Sequence, residues 1–93
     1  MVVRGKTNGT VTFIFNSNPE AKNVYLVGDF NKWNAKSKRM VKNKDGSFHA
    51  KVELTPGEYQ YKFFADGVWL HDPKAQHQVM NPYGTFNSVV AIA

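Results

Sequence analysis

Seven carboxylates, three histidines, two tryptophans and a run of lysines are the residues of this 93-residue chain whose chemistry could reach beyond folding. Hydrolysis of a glycosidic bond would need two carboxyl groups roughly 5 to 10 Å apart, one of them with a raised pKa. No such pair is evident. Asp45 and Asp66 each precede a glycine and read as hairpin-turn residues, Glu53 alternates outward on a strand pattern, and Glu58 follows a Pro-Gly turn. His71, Asp72 and His77 could be drawn as a metal site, but they lack a recognised ligand spacing and a third strong ligand. The chain contains no cysteine, which removes thiolate ligands, a Cys nucleophile and any disulfide framework. G-x-S-x-G and phosphate-cradling glycine-rich motifs are absent as well. These residues argue against catalysis and against a metal or other cofactor.

The aromatic residues offer more. Asp66-Gly67, inside GEYQYKFFADGVWLHD, is a strong two-residue hairpin signal. It predicts a register in which Ala65 faces Val68, Phe64 faces Trp69, Phe63 faces Leu70 and Lys62 faces His71. One face then carries Tyr59, Tyr61, Phe63, Ala65, Val68 and Leu70 and must be the core. The other carries Gln60, Lys62, Phe64, Trp69 and His71, with its polar residues toward solvent and Trp69 exposed or half exposed beside Lys62. The second tryptophan, Trp33, lies in the loop sequence GDFNKWNAKS. A large ring there either plugs the end of the fold or meets a ligand.

An exposed indole can lie against the apolar C–H face of a pyranose while Lys and Asn side chains donate to the sugar hydroxyls. Nucleic-acid bases could stack on the same platform. Twelve Lys and Arg against seven Asp and Glu leave a net charge of +5, and Lys32, Lys36, Lys38, Arg39, Lys42 and Lys44 place six of those cations within thirteen residues. This run reads either as a solvated loop and edge strand, where lysine discourages edge pairing, or as an anionic-partner surface. Only two arginines are present, Arg4 and Arg39, which weighs against nucleic acid because arginine leads in phosphate recognition.

The elements that must position these residues are short strands. The chain is 42% hydrophobic and 14% aromatic, enough for one core, and its length suits one domain over residues 1–93. Turn signals recur at Asn8-Gly9, Asp45-Gly46, Pro56-Gly57, Asp66-Gly67 and Tyr83-Gly84. Strands are expected at about 10–15, 23–28, 39–42, 47–54, 57–65, 68–71 and 86–92, with at most one helical turn near Pro73 to Gln78. In SFHAKVEL, Phe48, Ala50, Val52 and Leu54 should point inward, joined by Val11, Phe13 and Phe15. Seven short antiparallel strands in under 100 residues predict an all-β, immunoglobulin-like β-sandwich. Apolar runs are far shorter than the roughly 18 residues of a membrane span, and MVVRGKTNGT lacks a signal-peptide core. With no cysteine present, a cytoplasmic location is the expectation, with no membrane partner.

Three segments also carry a resemblance. VYLVGDFNKWN at 24–34, PGEYQYKFFADGVWLHDP at 56–73 and NPYGTFNSVV at 81–90 resemble, in this order and across roughly residues 10 to 92, the family 48 carbohydrate-binding modules. That family includes the glycogen-binding domain of AMP-activated protein kinase β subunits and modules on isoamylases and glycogen branching enzymes. The resemblance implies noncatalytic binding of α-1,4-linked glucan such as glycogen, starch or malto-oligosaccharide, and a glucan-modifying enzyme or kinase subunit as host or partner. Position by position, it implies that Trp33 and Trp69 stack on the glucan, that Lys62 and Asn87 hydrogen-bond its hydroxyls and that Thr85 belongs to the binding loop. Tyr83 stands where the kinase subunit carries a leucine that inserts toward the centre of the curled glucan, so an aromatic edge replaces an aliphatic wedge. Two other readings stay open at this stage: a protein-interaction or structural sandwich with a vestigial sugar site, and a single-stranded nucleic-acid binder, whose affinity would fall steeply with salt.

Overall fold

The computed structural model describes residues 2–4, 9–18 and 20–92. Among them it contains nine strands: β1 (Val2–Arg4), β2 (Thr10–Phe15), β3 (Val24–Gly28), β4 (Val41–Lys42), β5 (Phe48–Glu53), β6 (Gly57–Ala65), β7 (Val68–Leu70), β8 (His77–Met80) and β9 (Phe86–Ile92). Two antiparallel sheets result, one ordered β1-β2-β5-β4 and the other β3-β6-β9-β8, with β7 pairing onto β6. No helix among the described residues is long and apolar enough to cross a membrane.

Alternation builds the sandwich. Val11, Phe13 and Phe15 of β2 and Phe48 and Ala50 of β5 are buried from one sheet; Val24, Leu26, Tyr61, Phe63, Ala65, Val90 and Ile92 are buried from the other. Phe13 meets Tyr61 edge to face at 4.9 Å, and Phe15 meets Phe63 at 5.0 Å. Each large buried side chain in this layer contributes roughly 1.5–3 kcal/mol relative to exposure. The chain changes sheets at one corner. Lys38 and Met40 still hydrogen-bond to β3, through Leu26 N to Lys38 O at 2.9 Å and Met40 N to Val24 O at 2.8 Å, and the next two residues pair with β5 as β4.

The all-β sandwich matches the expectation, with differences in single elements, among them a 3-10 turn at Asp29–Asn31 in place of one near Pro73 to Gln78. The strand expected over 39–42 shortens to Val41–Lys42, because its first half belongs to the corner. The segment 77–80 is a strand rather than the end of a helical turn; HQVM has no alternation and is exposed throughout, so its strand state comes from pairing with β9. β1 likewise arises from pairing with β2. Asn8, half of the first turn signal, lies outside the described residues.

The hairpin at Asp66-Gly67 has the expected register: Phe63 opposite Leu70, Phe64 opposite Trp69 and Ala65 opposite Val68. Asp66 takes a positive φ of 48° and Gly67 one of 83°, as the turn requires. Asp66 also accepts hydrogen bonds from the backbone of Asn23 at 2.8 Å and of Lys22 at 3.0 and 3.2 Å. Those bonds hold its carboxyl below the usual value, Asn23 contributing most. Val68, expected in the core, is exposed, because it stands at the tip of the hairpin beside the turn, where no second layer covers it.

Beneath the outer face of the second sheet, Tyr61 and Asp72 form a buried polar anchor. The Tyr61 hydroxyl donates to Asp72 Oδ2 at 2.7 Å, and Asp72 N donates to Ser88 Oγ at 2.6 Å. Burial first, and the carboxylate second, push the Tyr61 phenol well above its usual value. Gln78 Nε2 donates to the Asp72 carbonyl at 2.7 Å, which fastens the segment between β7 and β8 to the core.

Candidate functional site

Trp33, Lys62, Trp69, His71, Tyr83, Thr85 and Phe86 line one open hollow of about 570 Å³ on the outer face of the five-stranded sheet. Five of the six residues singled out from sequence are therefore brought together. Each is placed there by a different local device.

Trp69 is set by the hairpin register and is 46% exposed. Its ring meets that of Phe64 at 4.6 Å between centroids, tilted by 42°, and the rest of the indole is open to the hollow. Trp33 is set by the turn after β3. Gly28 has no room for a side chain: a Cβ there would stand 2.6 Å from Gln60 O and 2.9 Å from the Phe30 ring. Asp29–Asn31 form one 3-10 turn. Asn31 ties it down, accepting from Gly28 N at 3.0 Å and donating to Leu26 O at 2.9 Å. Lys32 and Trp33 then adopt left-handed backbone, with φ 56° and 58°, a costly conformation for side chains of this kind. Two bonds hold it: Trp33 N to Gly28 O at 3.0 Å and Trp33 Nε1 to Asp29 Oδ1 at 2.9 Å. The indole is half-buried and lines the hollow; the partly buried side chain of this turn that packs on the core is Phe30, not Trp33.

Asn81 organises the loop between β8 and β9. Its Oδ1 accepts from Tyr83 N at 3.0 Å and Thr85 N at 3.1 Å, and its backbone N donates to Thr85 O at 2.7 Å. Gly84 supplies the positive φ of 82° that closes the turn. Tyr83 is thereby held at the loop tip, 90% exposed. Thr85 Oγ1 accepts from Lys62 Nζ at 3.1 Å and from Asn81 Nδ2 at 2.7 Å. With its two lone pairs engaged, the hydroxyl has its proton left to donate.

Lys62 departs from the expectation that it points freely to solvent. It is 8% exposed and its ammonium is directed at Thr85; the remaining two protons stay available to a ligand. Asn87 is also buried, and it does not line the hollow. Its Nδ2 donates to Gln60 Oε1 at 3.1 Å and its Oδ1 accepts from Asn81 Nδ2 at 3.0 Å. It therefore shares the Asn81 amide with Thr85. His71 and Phe86 line the hollow and were not singled out from sequence. Pairing of β7 ends at Leu70, yet His71 keeps the outward side that the register gives it, and Phe86 could have been found from its place beside Thr85.

The histidine and carboxylate cluster considered as a metal site is spent otherwise, since Asp72 is buried against Tyr61 and Ser88. Among the described residues no group of three or more His, Cys, Asp or Glu gathers. The basic run is spread over the corner and edge strand: Arg39 Nη2 donates to Asn23 Oδ1 at 2.9 Å, and Lys42 Nζ lies 5.7 Å from the centre of the Phe48 ring.

Over residues 10–93 the chain matches the family described as the glycogen recognition site of AMP-activated protein kinase. It is 44% identical to the 5'-AMP-activated protein kinase subunit beta-1 of Bos taurus, 42% to that of Homo sapiens and 39% to the Homo sapiens subunit beta-2, each over 71 residues. These alignments cover 76% of this chain and 25% of the relative, so the chain spans about a quarter of the length of the curated relatives it matches. Among solved structures, the crystal structure of maltogenic amylase from S. marinus superposes with a TM-score of 0.72 over 100% of this chain and 16% of that one. At 23% identity that likeness carries the fold alone. The chain belongs to the family of glycogen recognition domains of AMP-activated protein kinase.

Proposed function

We propose that residues 1–93 act as one noncatalytic module that binds α-1,4-linked glucan in the hollow between Trp33 and Trp69. The observation that carries this reading is the convergence of three aromatic rings, those of Trp33, Trp69 and Tyr83, on the donors of Lys62 and Thr85. The two indoles take the apolar C–H faces of successive sugars, and Tyr83 closes the edge of the hollow. Lys62 and Thr85 donate to ring hydroxyls, and Asn87 keeps Thr85 in place through Asn81. The site is shallow and a saccharide loses conformational freedom in it, so affinity is modest. The benefit is local concentration: a kinase subunit or glucan-modifying enzyme attached to or partnering the module is held on the polysaccharide in the cytoplasm. Retention on amylose resin, with elution by free maltoheptaose and none by a cello-oligosaccharide, tests this. A chain that passes through the resin unretarded would leave the sandwich as a structural or protein-interaction module.

A further inference from the structure

A second hollow, of about 460 Å³, opens on the same sheet and is lined by Asp29, Glu58, Gln60, His77, Gln78, Val79 and Val89. Strand alternation places Glu58, Gln60 and Lys62 at successive outward positions of β6, each step about 7 Å. Gln60 stands opposite Val89, and His77 opposite the same Val89 from the other side. Lys62 thus lines the first hollow and Gln60 and Glu58 line the second. Asp29 joins the two: its Oδ1 holds the Trp33 indole at 2.9 Å and its Oδ2 accepts from Gln60 N at 2.8 Å.

We propose that this second hollow is a further subsite for the same glucan chain, taking the sugar units that run past Lys62 along β6. The inference rests on the α-glucan reading of the first hollow. Three of its polar groups have no hydrogen-bond partner among the described residues: the Glu58 carboxylate, the His77 imidazole and Gln60 Nε2, whose companion Oε1 is taken by Asn87. Its floor is apolar, formed by Val79 and Val89, a surface for sugar C–H groups. The two hollows are chemically complementary. The first offers donors, through Lys62 and Thr85; the second adds acceptors, through Glu58 and Asp29. Hydroxyl groups both donate and accept, so a neutral polyol chain satisfies both at once. Phosphate does not, because the two carboxylates repel it, which excludes a nucleic-acid strand as the occupant of this part of the face despite the basic charge of the whole chain.

The test compares maltotriose with maltodecaose by calorimetry, on the wild type and on a Glu58→Ala/His77→Ala variant. Both substitutions lie on exposed side chains. The wild type should bind the longer ligand more than about tenfold more tightly, a difference of about 1.4 kcal/mol, and the variant should lose most of that gain. Glu58→Lys, which brings a cation to the same wall, should reduce the gain as well and serves if the double variant fails to fold. An unchanged ratio in the variants, or a wild type that does not discriminate by length, overturns the second subsite and leaves the first hollow intact. Failure to bind either ligand overturns the α-glucan reading itself.

Discussion

Replacing Trp69 by alanine removes the ring that the account makes the main sugar platform. The side chain is 46% exposed and packs on Phe64 at 4.6 Å. A tryptophan of about 250 Å² then offers on the order of 100 Å² to a ligand. A sugar covering half to all of it would gain about 1.3–2.5 kcal/mol at 25 cal/mol per Å². Affinity for maltoheptaose should therefore fall roughly 10- to 100-fold by calorimetry. Stability should change far less, by about 1 kcal/mol for the lost aromatic pair, because the ring contributes nothing to the layer between the sheets. Thermal unfolding and far-ultraviolet circular dichroism on the same sample separate the two effects. A Trp69→Ala protein that binds as tightly as the wild type would refute the stacking geometry, and one that unfolds would refute the face assignment.

Other substitutions probe the supports of the site. Gly28→Ala drives a methyl group toward Gln60 O; overpacking of this kind costs about 1–3 kcal/mol, which thermal unfolding should show as a fall of roughly 5 to 20 °C. Tyr83→Ala, at a side chain 90% exposed, should leave the melting temperature unchanged and weaken maltoheptaose several-fold in a calorimetric titration. The bonds from Asn23 and Lys22 lower the folded-state pKa of Asp66, so its contribution to stability is present above its unfolded value of about 4 and is lost as pH falls through the lowered folded value. Asp66→Asn, which tolerates the positive φ, should flatten that decline when melting is followed between about pH 5 and pH 2. Asp45, held low chiefly by the Ser47 hydroxyl, keeps part of the decline in place; an Asp66→Asn protein with the full wild-type decline would contradict the assignment.

The parts of the site legible in the sequence were those set by local chemistry. Asp66-Gly67 alone settles which residue faces which across β6 and β7, and with that the position of Trp69 beside Lys62. Alternation in TVTFIF and SFHAKVEL likewise yields the inward rows of β2 and β5. What stayed hidden depends on partners distant in the chain. HQVM carries no strand pattern of its own and is ordered by β9. A lysine on an outward position reads as solvated until the loop carrying Thr85 is seen to reach it from 23 residues away. Trp33 depends on Asp29, whose second oxygen binds the backbone of a residue 31 positions on, and no local rule distinguishes such a carboxylate from a surface charge. Asn87 shows the converse: its type suits a sugar contact, but its amide is engaged on both sides by Gln60 and Asn81.

The central claim is that the hollow between Trp33 and Trp69 takes neutral α-linked glucan. Its most direct test is a titration of tryptophan fluorescence with maltoheptaose at low and high salt, against a β-linked cello-oligosaccharide and a single-stranded oligonucleotide. The account predicts a saturable change with maltoheptaose alone, at the same midpoint in both salts. A change with the oligonucleotide whose midpoint moves steeply with salt, with none for the α-glucan, would contradict it.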